Sequence, residues 1–125
     1  MTVPFIDLRR QYAAIAAEVE PAVRAVLAGG QYILGAEVQA FEAERAAYCG
    51  AAHGSGVASG TDALRLALEA AGVGPGDEVI IPAFTFVATA EVVTQLGAVP
   101  VFADVERARL TLDPADAERR ITSRT

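Results

Sequence analysis

The chain has 125 residues, enough for one domain with a packed core and too few for two. Its net charge of −6, with ten scattered cationic side chains, argues against the basic face that nucleic-acid binding requires. Hydrophobic residues make up 53%, yet no run approaches the ~20 apolar residues of a membrane crossing, and Met1 to Arg10 is too polar for a signal peptide. The expectation is therefore a cytoplasmic globular protein with neither nucleic-acid nor membrane partners.

From Ile6 to Leu27, Leu8, Tyr12, Ile15, Val19, Val23 and Val26 recur at threes and fours, the stripe of an amphipathic helix. Asp7 suits its N-cap, Pro21 is expected to kink or interrupt it, and Gly29-Gly30 ends it. Gln31 to Gly35 is a loop whose Tyr32, Ile33 and Leu34 are costly to expose unless something covers them. A second helix is expected over Ala36 to Tyr48, with Val38, Phe41, Arg45 and Tyr48 on one side and mixed charge at Glu37, Glu42, Glu44 and Arg45 facing solvent. Cys49, the single cysteine, excludes an internal disulfide and reads as a half-buried structural thiol.

Ser55 to Ala58 reads as a short buried strand and Asp62 to Ala71 as a helix, followed by the turn signal Gly74-Pro75-Gly76-Asp77. Glu78 to Pro82 is a β-branched strand, Phe86 to Leu96 a helix closed by Gly97, and Val99 to Asp104 the next strand. Arg107 and Arg109 fall in a solvated turn. Asp113 caps a last helix that has proline at its first position and ends near Ile121. Strands alternating with helices indicate an α/β domain with a largely parallel sheet. The last helix has no strand after it, so a truncated α/β unit is expected.

Two segments carry candidate chemistry. Gly60-Thr61-Asp62-Ala63 stands where a helix begins, and unsatisfied N–H groups there can cradle a phosphate. The same residues also fit an ordinary capped start with Ser59 or Thr61 as cap. Pro82 to Ala90 begins at the carboxyl end of a strand, the edge where α/β sheets bind ligands. Phe84, Phe86, Thr85 and Thr89 there offer either a stacking surface with hydroxyls or simple core packing. Gly54-Ser55-Gly56-Val57-Ala58-Ser59-Gly60 superficially matches a dinucleotide fingerprint, but that motif must follow a strand, and here a helix ending at Gly50 precedes it. His53, alone in a Gly/Ala loop, reads as a surface residue.

The ordered series Pro4-Phe5-Ile6-Asp7-Leu8, Gly30-Gln31-Tyr32-Ile33-Leu34-Gly35, Phe41-Glu42, Ser59-Gly60-Thr61-Asp62-Ala63-Leu64, Gly76-Asp77-Glu78-Val79-Ile80, Pro82-Ala83-Phe84-Thr85-Phe86-Val87-Ala88-Thr89 and Pro100-Val101-Phe102-Ala103-Asp104 resembles the DegT/DnrJ/StrS-type aminotransferases over essentially the whole chain. The resemblance implies an incomplete large domain of a fold-type-I aminotransferase, three-layer α/β/α with a mainly parallel sheet. Residues 1–50 would form N-terminal helices and 51–125 the start of the pyridoxal-phosphate-binding domain. It also implies pyridoxal 5′-phosphate as cofactor, a nucleotide-linked keto-sugar as substrate, an amino donor such as glutamate, and a homodimer. Gly60, Thr61 and Asp62 would match the phosphate-binding turn, with backbone N–H groups from Thr61 and Asp62. Phe86 would match the aromatic stacked on the pyridine. Tyr32 and Ile33 would lie in a loop near the active site at the dimer interface and touch substrate. Asp104 matches a recurring position without an assigned role.

In that family the lysine bonded to the cofactor, the aspartate on the pyridine nitrogen and a phosphate-holding serine lie beyond the point matching Thr125. All ten cationic residues here are arginine, so the chain holds no lysine. The resemblance thus implies an amino-terminal fragment that binds the cofactor weakly or not at all, is inactive alone and of marginal stability, with the segment around Val57 lacking its sheet neighbour. The alternatives are a non-catalytic dimerisation partner or remnant and a dinucleotide-binding domain.

Overall fold

The computed structural model describes residues 4–125. Met1–Val3, the first residues of the polar N-terminal stretch and of segment 1–50, lie outside the described residues. The chain divides into two compact units, one up to Gly56 and the other Val57–Thr125.

The first unit holds α1 (Leu8–Gly29) and α2 (Ala36–Cys49). Asp7 caps α1 by accepting the Arg10 N–H at 3.0 Å, and Gly30 closes it in a left-handed conformation, φ +69°. Pro21 does not interrupt the helix. The carbonyl deprived of a donor by the proline belongs to exposed Ala17, where water can serve it. The stripe Leu8, Tyr12, Ile15, Val19 and Val23 is exposed along its length.

On α2 the protected side is Val38, Glu42 and Ala46, not the Val38, Phe41, Arg45 and Tyr48 side. Phe41 and Tyr48 are exposed, with the Arg45 guanidinium 5.4 Å from the Tyr48 ring centroid. The cause is the chain returning over α2 after Gly50: Gly56 N–H donates to Glu42 Oε1 at 2.7 Å. At Gly54 a Cβ would stand 2.8 Å from the Glu42 carbonyl oxygen, so only glycine permits this approach. Glu42 is therefore a backbone anchor and not part of a solvated charged face. Cys49 is exposed at the end of α2, contrary to the half-buried expectation. Ser55 to Ala58 forms no strand among the described residues, because the Gly56 N–H goes to a side chain instead of a ladder partner.

The second unit holds α3 (Gly60–Ala70), β1 (Glu78–Pro82), α4 (Ala88–Gln95), β2 (Val99–Ala103) and α5 (Pro114–Arg119). α3 starts two residues earlier than Asp62, and α4 starts two residues after Phe86, which leaves Phe86 in the loop. Asp113 caps α5 through the Ala115 N–H at 2.9 Å, and the helix stops at Arg119, short of Ile121. Gly74 to Asp77 makes a tight turn, with Gly76 at φ +96° and the Asp77 N–H bonded to the Gly74 carbonyl at 3.1 Å.

β1 and β2 pair in parallel, from Glu78 opposite Val99 to Pro82 opposite Ala103, with α4 as the crossover. Their core is Ile81, Val92, Val93 and Ala98, with Leu68 of α3, Val73, Val79 and Ala90 packed around it. This is a mixed α/β fold with a parallel sheet. It anchors α3 and α4, the two helices whose starts carry the candidate chemistry.

Two carboxylates fasten the rest. Asp116, 7% exposed, accepts Arg120 Nε at 2.8 Å, the Asp104 N–H at 2.7 Å and an Arg119 nitrogen at 2.9 Å. The Arg120 and Asp104 bonds hold its pKa down to about 2. Glu78, 8% exposed, accepts the Thr122 hydroxyl and the Arg124 guanidinium, and its N–H donates to the Arg124 carbonyl at 2.8 Å. The Thr122 bond is the main cause of its lowered pKa. Residues 122–125 are thereby tied to the start of β1.

Candidate cofactor-binding site

Ser59 is extended and caps α3: its Oγ accepts the Asp62 N–H at 3.1 Å and donates to Asp62 Oδ2 at 2.9 Å. The capping reading thus holds, with Ser59 rather than Thr61 as the cap. The Ala63 N–H bonds to the Ser59 carbonyl at 3.0 Å. Among the described residues, the N–H groups of Gly60 and Thr61 have no acceptor, so two donors of the helix start remain free. A Cβ built at Gly60 meets nothing within 4 Å, so the approach to those donors is open. Asp62 contributes a carboxylate bound to Ser59, and its own N–H is already taken. A ligand oxygen reaching Asp62 N–H must share it with the serine hydroxyl.

Phe86 lies between β1 and α4, beyond the carboxyl end of β1, and is 75% exposed; Phe84 is 67% exposed. Core packing, the simple reading of both rings, does not occur. The Phe86 carbonyl accepts the Thr89 N–H at 3.1 Å, and the Thr85 and Thr89 hydroxyls are 3.2 Å apart. Both were visible in the sequence, but their spacing of four residues, with Phe86 between them, was the signal for a bridge.

Gly60, Thr61, Asp62 and Phe86 all belong to the second unit, in which α3 packs on α4. Tyr32 and Ile33 belong to the first. Tyr32 donates its hydroxyl to the Leu27 carbonyl at 3.2 Å and borders a surface cleft of about 190 Å³ between the end of α1 and the start of α2. Ile33 and Leu34 are exposed, and Leu34 has φ +50°, a backbone strain that a non-glycine residue rarely carries. No group of three or more histidine, cysteine, aspartate or glutamate side chains suited to a metal occurs among the described residues. No helix there is long and apolar enough to cross a membrane.

The donor set fits a phosphorylated planar ring: two free N–H groups at an open helix start, and an uncovered aromatic past a strand end. The chain is 52% identical over all its 125 residues to the erythromycin biosynthesis sensory transduction protein EryC1 of Saccharopolyspora erythraea, and covers 34% of that protein. It is 49% identical over 123 residues to the dTDP-3-amino-3,4,6-trideoxy-α-D-glucose transaminase of Streptomyces venezuelae, covering 98% of this chain and 32% of that one. The chain thus spans about a third of the length of the curated relatives it matches. Among solved structures, S. venezuelae DesV superposes with a TM-score of 0.94 at 49% identity, over 98% of this chain and 33% of that one. Bacillus subtilis NtdA, with bound cofactor PMP, superposes with a TM-score of 0.92 at 33% identity, over 99% and 29%. Residues 13–125, which include both candidate segments, match one family throughout: the chain belongs to the DegT/DnrJ/EryC1/StrS aminotransferase family.

Proposed function

We propose that this chain supplies the phosphate and ring contacts of a pyridoxal 5′-phosphate site in a protein that aminates nucleotide-linked keto-sugars, with glutamate as amino donor. The observation that carries the reading is the α3 start, where the Gly60 and Thr61 N–H groups are free and open inside the family match. They would bind the phosphate, with Asp62 adding its N–H by sharing it with Ser59. The Phe86 ring would cover one face of the pyridine and keep water from it. Tyr32 and Ile33, exposed in the Gln31 to Gly35 loop, would contact substrate. When bound, the cofactor supplies an electron sink for the carbon that gains or loses the amino group.

Residues 51–125 are read as the start of the large cofactor-binding domain and 1–50 as N-terminal helices. Amino transfer needs a side-chain amine on the protein to move the proton, and this chain has none. The polypeptide of 125 residues should therefore bind the cofactor weakly, without the covalent hold, and not turn over. A second reading, a non-catalytic partner of a homologous chain, rests on the exposed α1 stripe, which suits a dimer interface.

Two measurements test the main reading. Pyridoxamine 5′-phosphate is the probe, since it has no aldehyde to react with the chain's terminal amine. The chain has no tryptophan, so the fluorescence of the pyridine ring is read against a low background. Binding of this probe, and weaker binding of pyridoxamine lacking the phosphate, is expected. Equal affinity for the two would remove the phosphate from the site. Amino transfer from glutamate to a nucleotide keto-sugar should stay at the free-cofactor background, and turnover above it would refute the inactive reading.

A further inference from the structure

We infer that the Thr85 and Thr89 hydroxyls form a brace that fixes the Phe86 segment for ring binding, which makes both threonines positioning residues. The inference rests on the cofactor reading above and concerns what holds Phe86 in place. The segment is anchored at one end by the Ala83 N–H on the Ala103 carbonyl, 2.8 Å, and at the other by the Thr89 N–H on the Phe86 carbonyl. Between these anchors the N–H groups of Phe84, Thr85 and Phe86 make no hydrogen bond among the described residues. The Phe86 ring is exposed, so packing does not hold it either. Beside the backbone bond at the Phe86 carbonyl stands the hydroxyl pair, which spans the phenylalanine and ties Thr85 to the first turn of α4.

The bridge uses one hydroxyl as donor and the other as acceptor. Valine keeps the branched shape of threonine and removes the hydroxyl, whereas serine keeps the hydroxyl. Thr85→Val and Thr89→Val are each expected to weaken pyridoxamine 5′-phosphate binding about two- to tenfold. The double variant should be no weaker than either single, because one bond is lost in all three. Thr85→Ser and Thr89→Ser should stay near the parent. Thr94→Val is the control, since the Thr94 hydroxyl bonds the Glu91 carbonyl at 2.8 Å on the same helix, away from the loop.

A second readout needs no ligand. With 4-fluorophenylalanine placed at position 86, the fluorine resonance of the free chain should shift or broaden in the valine variants and not in the serine variants or the control. Far-UV circular dichroism matching the parent separates loss of the brace from loss of fold, and Thr85→Ala serves if a valine variant unfolds. Valine variants that match the parent in both readouts overturn the brace, and loss of binding in Phe86→Ala then leaves the cofactor reading standing. A Phe86→Ala chain that binds as the parent does overturns both. If the parent binds too weakly to measure, the fluorine signal decides: no change in the valine variants refutes the brace.

Discussion

Ser59→Ala tests the α3 start most directly, because one hydroxyl serves both the helix and the site. The substitution removes the acceptor of the Asp62 N–H, at 3.1 Å, and a donor to Asp62 Oδ2, at 2.9 Å. Loss of a serine N-cap costs about 0.5–2 kcal/mol. The lost donor adds little, since the carboxylate stays in the first turn, where the helix dipole favours it. A figure of about 1 kcal/mol corresponds to roughly 3–5 °C in Tm for a chain of this length. Binding should move the other way. With Ser59 gone, a third N–H faces the phosphate, so pyridoxamine 5′-phosphate should bind Ser59→Ala as well as or better than the parent. Ser59→Asp, another capping residue, should keep the Tm but weaken binding by placing a second carboxylate at the phosphate. Thermal melts by circular dichroism and probe titrations measure both quantities. A Ser59→Ala chain that melts with the parent, or one that loses both stability and binding, refutes the argument that Ser59 competes with the ligand.

Three further outcomes follow from other residues. Gly60→Ala should leave the fold intact or stabilise it by up to about 1 kcal/mol, because nothing lies within 4 Å of the new Cβ, yet weaken the probe; unchanged affinity would move the phosphate elsewhere. Val93→Ala, at a side chain 0% exposed, should lower stability by about 2–3 kcal/mol through lost burial and a cavity, read as a lower urea midpoint with unchanged slope. Asp116 has a folded pKa of about 2 against 3.8, so its contribution is full above pH 4 and disappears as pH falls toward 2. Asp116→Asn should lower the urea midpoint at pH 7 and flatten the fall between pH 4 and 2, with Glu78 providing what slope remains; an acid limb parallel to the parent's would contradict this.

The sequence was most readable where signals are local. Asp7 with Gly30, Gly74 to Asp77, and Asp113 with Pro114 each sit within one turn, and each element begins or ends there. The β1–β2 pair followed from two β-branched runs separated by a helix. The misreadings came from partners distant in sequence or from the lack of them. A strand at Ser55 to Ala58 needs a neighbour to exist, and the Gly56 N–H found Glu42 instead. Nothing near Glu42 announces that it will serve residue 56. For the Phe84 and Phe86 rings the sequence left both a stacking surface and core packing open, and α4, beginning only at Ala88, leaves both rings outside the core. At the site, the helix start and its capping were legible, while the choice of Ser59 over Thr61 as the cap, and with it the occupied Asp62 N–H, was not. That depended on the Ser59 rotamer.

The clasp at Glu78 has a consequence for the order in which the second unit is completed. Its carboxylate partners lie 44 and 46 residues further along the chain. During synthesis both strands and their crossover helix emerge before Thr122 and Arg124 exist. In that interval the first residue of β1 holds a charged side chain in water, and its N–H waits for the Arg124 carbonyl. The parallel pair can therefore form with a frayed beginning, and it closes only when Thr122 and Arg124 arrive.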